Sequence, residues 1–183
     1  MKVSIITACL NSEKFLQDCM DSVREQTHTD IEYIVVDGKS TDQTLKVIRN
    51  NKDIISHFIS EPDRGMYDAI NKGIKLATGD IVGVLNSDDM LSSPDSIKHI
   101  VNCFSNTSTD AVYGDLVYID PENENTIVRF WKGKSFKRYR FRLGWMPAHP
   151  TFYIRRSLIE KYGLYENHFY TAADYEFMAR YLY

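Results

Sequence analysis

Two kinds of apolar pattern alternate along the first half of the chain. Short runs rich in Val and Ile, Lys2–Ala8 and Ile31–Val36, have the composition of strands covered on both faces. Ile54–Ser60 predicts a third, shorter strand and Asp80–Leu85 a fourth. Between them the apolar residues recur at helical spacing. Leu16, Cys19, Met20 and Val23 mark a helix from about Ser12, and Leu45 and Ile48 mark one that Ser40 or Thr41 can cap. Ile70, Gly73, Ile74 and Ala77 share one face of a helix over Met66–Ala77, closed by Thr78-Gly79. Pro94 opens a helix carrying Ile97, Ile100, Val101 and Phe104. Such alternation predicts an α/β fold with a mostly parallel central sheet flanked by helices.

The texture changes after Asp110. Ala111–Ile119 and Thr126–Trp131, separated by the turn-rich residues 120–125, predict an antiparallel hairpin. Thr151–Ile154 is a strand candidate, Ser157–Tyr162 a short helix, and the chain reads as helical from Thr171 to its end. The second half is therefore mixed, and with no linker or repeat in sight residues 1–183 are expected to form one domain. The last residues, Met178–Tyr183, are apolar and aromatic with no capping signal, which is expected of a fragment whose parent chain continues.

Composition narrows the class only modestly. With 43% hydrophobic and 26% charged residues the chain reads as globular, and a net charge of −3 gives no general pull toward nucleic acid. Cys9, Cys19 and Cys103 show no metal-ligand spacing and suit a reducing compartment. There is no membrane-spanning apolar run and no visible signal peptide, so a cytoplasmic protein is expected, with peripheral contact at the inner membrane open.

The polar residues of interest fall where the predicted strands end, the rim at which open parallel sheets bind ligands. The first strand leads to Thr7, Ala8 and Asn11, the second to Asp37-Gly38, and the fourth to Asn86-Ser87-Asp88-Asp89. Adjacent carboxylates after a buried strand suit a hard divalent cation that shares a phosphate, or they simply cap the next helix and face water. No GxGxxG follows the first strand and no GxxxxGK[ST] occurs, which argues against a dinucleotide site and a P-loop.

Val3–Ala8 with Asn11, Tyr33–Thr44, Glu61–Ile74, Ala77–Asp80 and Leu85–Asp89 follow one another in an order that resembles the family-two glycosyltransferases of GT-A fold; His149–Arg156 and Asp174–Arg180 continue the likeness. The resemblance implies an inverting sugar transfer from a nucleotide-diphosphate sugar to a polysaccharide or lipid-linked acceptor. It divides the chain into a nucleotide-sugar half, residues 1–109, and an acceptor-side half, residues 110–183. It implies donor contacts at Thr7, Ala8, Asn11, Asp37, Arg64, Asp68, Asn86 and Asp89, and a UDP-sugar ahead of a GDP-sugar. A divalent cation, Mn²⁺ or Mg²⁺, falls to Asp88, with Asp89 as a second ligand or sugar-hydroxyl acceptor and His149 as a further ligand or diphosphate donor. Asp174 matches the general base, a role that competes with that of a helix cap.

The chain departs from the family pattern at three positions. Gly38 and Asn86 stand where many members have Asp, and Ala173 where Glu precedes the base. These departures keep open a catalytically impaired nucleotide-sugar-binding module, with a nucleotidyltransferase as a more distant alternative. The basic, aromatic stretch Trp131–Leu143 reads either as an acceptor-side loop that can meet a lipid-phosphate at a membrane or as a connecting segment with a solvated basic face.

Overall fold

The computed structural model describes residues 1–121, 123–169 and 171–182. Glu122, in the predicted turn, and Tyr183, at the end of the predicted last helix, lie outside the described residues. Strands β1 (Val3–Cys9), β2 (Ile31–Asp37), β3 (His57–Ser60) and β4 (Ile81–Val84) run parallel, with β1 between β2 and β4 and β3 outside β2. Val3 stands opposite both Ile31 and Ile81, so the three central strands start level. Alternation sends Val3, Ile5, Tyr33 and Val35 into one core and Ile6, Ile34 and Val36 into another.

Helices close both cores. Helix α1 (Leu16–Arg24) buries the predicted stripe Leu16, Cys19, Met20 and Val23; Ser12 lies in the turn before it, its carbonyl accepting from the Leu16 amide at 3.1 Å. Helix α2 (Thr44–Asn50) buries Ile48 beside α1. Helix α3 (Met66–Leu76) lies on the opposite face, so close that a Cβ on Gly73 would stand 2.5 Å from Ile6 Cγ2. Glycine is required there by contact rather than by backbone angle. Helix α4 (Ser96–Phe104) returns to the α1 side through Ile97 and Phe104.

The second half departs from the predicted simple hairpin. Strand β5 (Ala111–Val112) belongs to the main sheet, while β6 (Leu116–Asp120) pairs with β7 (Asn123–Trp131) in a separate two-stranded sheet. The predicted strand over Ala111–Ile119 is thus broken at residues 113–115, where Tyr113, Gly114 and Asp115 bond to Lys134, Thr151 and Gly133 instead of continuing a ladder. A short helix, α5 (Arg138–Phe141), and a 3-10 turn, His149–Thr151, precede β8 (Tyr153–Arg155). Strand β8 runs antiparallel between β4 and β5, completing the order β3-β2-β1-β4-β8-β5. Helices α6 (Arg156–Tyr162) and α7 (Ala173–Leu182) join α3 on its face through Ile159, Phe177 and Met178.

A polar cluster ties the amino ends of the strands together. Glu32, 2% exposed, accepts from Lys2 Nζ (2.8 Å), Ser4 Oγ (2.6 Å) and both the amide (2.7 Å) and hydroxyl (2.6 Å) of Thr78. Burial alone would raise its pKa, but these donors outweigh it and bring the carboxyl down to about 2. The opposite rim, at the carboxyl ends, is left to other chemistry.

Candidate active site

Residue by residue, the β1 end builds a frame rather than a contact surface. Thr7 is fully buried, its Oγ1 donating to the Leu85 carbonyl at 2.8 Å and accepting from Tyr33 at 3.0 Å. The hydroxyl expected to meet a nucleotide is thus already committed, and it pins the last turn of β4 to β1. Ala8 is half-buried against the α3 core. Asn11 has φ 51°, in the left-handed region that Asn tolerates better than most residues. Its Oδ1 accepts from the Thr41 amide at 2.9 Å and its own amide donates to Ser40 Oγ at 2.9 Å, so it clamps the loop after β2.

The end of β2 and the chain after β3 bring up the first acids. Asp37 is fully buried at the end of β2, taking 3.2 Å bonds from the Ser40 amide and a 2.6 Å bond from Ser60 Oγ. Beside it, a Cβ on Gly38 would lie 2.4 Å from Asp63 Oδ2. The missing side chain at 38 leaves room that the Asp63 carboxylate fills, so the residue next to Asp37 is bordered by an acid from the chain after β3. Asp63 also accepts from the Gly65 amide at 2.9 Å, and Gly65, at φ 112°, turns the chain into α3. Arg64 points into solvent and pairs with Asp68 at 3.1 Å; Asp68 accepts as well from Asn167 Nδ2 at 3.1 Å. Burial would raise the pKa of Asp68, but the Arg64 amide and guanidinium, with Lys72, hold it below the usual range.

The β4 end carries an acidic pair. Asp88 is exposed, Asp89 is half-buried, and Asn86 Nδ2 donates to Asp89 Oδ2 at 2.8 Å. Burial raises the pKa of Asp89; the Asn86 amide opposes this and the Asp88 charge adds to it. Behind the turn, Cys19 Sγ approaches the Asn86 carbonyl at 3.4 Å, and burial pushes its thiol up to about 12. Ser87 Oγ meets Ser12 Oγ at 2.9 Å, fixing the turn to the start of α1.

The third component comes from the second half. The antiparallel register sets Tyr153 opposite Gly83, so the residues before it, back to His149, lie toward the carboxyl end of β4. His149 is 8% exposed with Nε2 2.8 Å from the Tyr165 hydroxyl. Burial lowers its pKa, and the Asp174 charge pulls the other way without prevailing, so the imidazole is neutral at neutral pH. Tyr165 stacks on Tyr67 at 5.6 Å and on Phe177 at 3.9 Å. Burial, with the nearby Asp174 charge, pushes Tyr67 up to about 12. Asp174 opens α7 and its Oδ1 caps the Tyr175 amide at 2.8 Å.

Three strand ends and the start of α7 thus converge on one rim: Asp37 and Asp63, then Asn86–Asp89, then Asp174 within its aromatic collar. Among the described residues no three His, Cys, Asp or Glu side chains stand together as a ready metal site. Asp88, Asp89 and His149 therefore do not form a preassembled ligand set, because Nε2 of His149 is turned into the Tyr165 cluster. Asp88 and Asp89 alone still fit a hard cation, which takes few protein carboxylates when a phosphate supplies the other oxygens. A depression of about 410 Å³ at the amino-terminal side, between Arg24, His28 and Asp53, is lined by none of these residues. Sequence reading did not single out Tyr67, Tyr165 or Asn167. The one signal was the position of Tyr67 beside Asp68 at a helix start.

Residues 4–163 match the family model described as glycosyl transferase family 2, and the chain belongs to that family. Its sheet and helices are those of a GT-A glycosyltransferase. A PGL/p-HBAD biosynthesis glycosyltransferase of Mycobacterium tuberculosis is 32% identical over 183 aligned residues, covering 97% of this chain and 68% of the relative. An uncharacterized glycosyltransferase of Nostoc is 34% identical over 130 residues, covering 69% of this chain. Among solved structures, Staphylococcus aureus TarS 1–349 in complex with UDP superposes with a TM-score of 0.77 at 21% identity, covering 99% of this chain and 55% of that one. The mannosyltransferase PcManGT of Pyrobaculum calidifontis, in complex with GDP-Man and Mn²⁺, gives 0.70 at 21% identity, covering 91% and 48%. The chain spans about half the length of these two structures.

Proposed function

We propose that this domain is an inverting glycosyltransferase that moves a sugar from a UDP-sugar to a polysaccharide or lipid-linked acceptor on the cytoplasmic side of a membrane. In this reading residues 1–109 hold the donor and residues 110–183 face the acceptor. The observation that carries it is the gathering of three acidic groups, from β2, β4 and α7, on one rim. Asp37, with Asp63 beside it, offers acceptors to the N–H and hydroxyl groups of a nucleoside. Arg64, exposed and held by Asp68, can swing to a phosphate.

Asp88 and Asp89 would hold Mn²⁺ or Mg²⁺, which supplies offsetting charge to a departing diphosphate. Asp174 takes the proton of the acceptor hydroxyl as that oxygen attacks the anomeric carbon. Tyr67 and the neutral His149–Tyr165 pair lie close enough to feel the Asp174 charge and serve as its positioning residues. The free thiols Cys9, Cys19 and Cys103 suit a reducing compartment, and among the described residues no helix is long and apolar enough to cross a membrane.

The test is UDP-sugar turnover with and without Mn²⁺ for the parent and Asp174→Asn. Metal-dependent release of UDP, lost by about 10²–10⁴-fold in the variant while UDP still raises its melting temperature, supports the reading. Binding without turnover in the parent makes the domain a nucleotide-sugar-binding module instead.

A further inference from the structure

An excess of positive over negative charge gathers in one stretch of this chain. Residues 126–143 contain seven Lys or Arg and no Asp or Glu, while the whole chain carries −3, so the other residues together carry −10. The same stretch, with β6, also presents apolar side chains to water. Val117, Ile127, Val128, Phe130, Tyr139 and Leu143 are all exposed, from 37% at Val117 to 78% at Leu143. Val117 stands opposite Phe130 on the hairpin. Val128 is the extra residue of a bulge, since Tyr118 faces Arg129 and Ile119 faces Ile127.

This surface is held in place. The Gly133 amide donates to Asp115 Oδ1 at 2.7 Å, the Tyr113 hydroxyl to the Lys134 carbonyl at 2.6 Å, and Arg140 Nη1 to the Ser135 carbonyl at 2.7 Å. Phe141 is buried, and its carbonyl accepts from the Tyr175 hydroxyl, so α5 turns Phe141 inward and Tyr139 outward. Asp115 accepts from the Gly133 amide, and Asp120 lies at the far end of the hairpin; in sequence the acids nearest the basic run are Glu122 and Glu124.

Cations beside bare aliphatic groups ask for a partner that offers negative charge and an apolar interior at once. A bilayer with anionic headgroups does so. A nucleic acid would take the cations but leave Ile127, Val128 and Leu143 in water, because it binds through stacking and phosphates. We propose that the β6–β7 hairpin and residues 132–143 form a docking surface for an anionic lipid bilayer. No catalytic step enters this assignment, so it stands or falls apart from the sugar transfer.

Cosedimentation with vesicles tests it, comparing phosphatidylcholine alone with phosphatidylcholine plus phosphatidylglycerol. The chain is expected to pellet with the anionic vesicles, to stay in solution with the neutral ones, and to be released by high salt. Each basic residue near such a surface contributes about fivefold in partitioning, so Lys132→Ala/Lys134→Ala/Lys137→Ala weakens binding by about 100-fold. Ile127→Ser/Val128→Ser, which leaves the charge unchanged, weakens it as well. Circular dichroism confirms that both variants keep their fold. Failure to pellet with anionic vesicles overturns the proposal, as does equal binding by the triple lysine variant. Sedimentation velocity showing a dimer that the Ile127→Ser/Val128→Ser variant abolishes, without vesicle binding, gives the surface to a second copy of this chain and overturns it too.

Discussion

Nε2 of His149 stands 2.8 Å from the Tyr165 hydroxyl; both side chains are buried, and Tyr165 stacks on Phe177 of the helix that carries Asp174. Tyr165→Phe leaves that imidazole nitrogen without a partner inside the core. The expected cost is about 1–3 kcal/mol in unfolding free energy, read from urea denaturation. In the proposed reaction the turnover number also falls, while UDP affinity measured by calorimetry holds.

Gly38 and Asp63 occupy one space between them. Gly38→Ala is expected to push the Asp63 carboxylate aside, cost about 1 kcal/mol of stability and weaken UDP binding. Asp63→Ala removes the collision, so adding Gly38→Ala to it should cost almost no further stability. A double-mutant cycle on melting and UDP titration reads this coupling, and strictly additive effects would contradict it.

Asp89 is the half-buried member of the pair after β4, next to the Asp88 charge. Asp89→Asn removes that repulsion, so without metal the variant should be as stable as the parent or slightly more so. With Mn²⁺ present, UDP at about 100 times its dissociation constant should stabilise the parent by about 2.7 kcal/mol and the variant far less. Differential scanning fluorimetry with and without a chelator distinguishes the two. A full Mn²⁺-dependent shift in Asp89→Asn would remove this residue from cation binding.

Glu32 sets an acid limit on the fold. Its carboxyl titrates at about 2 in the folded chain against 4.5 when free, so the unfolded state takes up the proton first. The stability it contributes is complete above pH 4.5 and is lost as pH falls from there toward 2. Linkage over that interval amounts to about 3 kcal/mol. Glu32→Gln should lose a comparable amount at neutral pH and show a flatter stability profile between those limits.

The strands β1, β2 and β4 and the helices around them were legible because each is buried on one stripe or on both faces, which writes itself into sequence as spacing; β3, half exposed, is three residues shorter than expected. The break between β5 and β6 was not legible. Tyr113 and Asp115 continue an alternation that looks like one strand, and only their bonds to Lys134 and Gly133, about twenty residues away, pull them out of line. The acids at the strand ends could be named from sequence, but not their states of engagement. Thr7 reads as a ligand contact until Tyr33 and Leu85 are seen to claim its hydroxyl. The collar of Tyr67 and Tyr165 around Asp174 joins residues about a hundred positions apart and has no local signature.

Val112 and Tyr153 are neighbours on one rung of the main sheet, yet forty residues, Tyr113 to Phe152, separate them along the chain. That excursion departs and rejoins without altering the ladder on either side. Its outer portion can therefore lengthen, shrink or be exchanged through evolution or by grafting while the sheet keeps its pairing. What that outer portion meets can diversify on a sheet that stays constant.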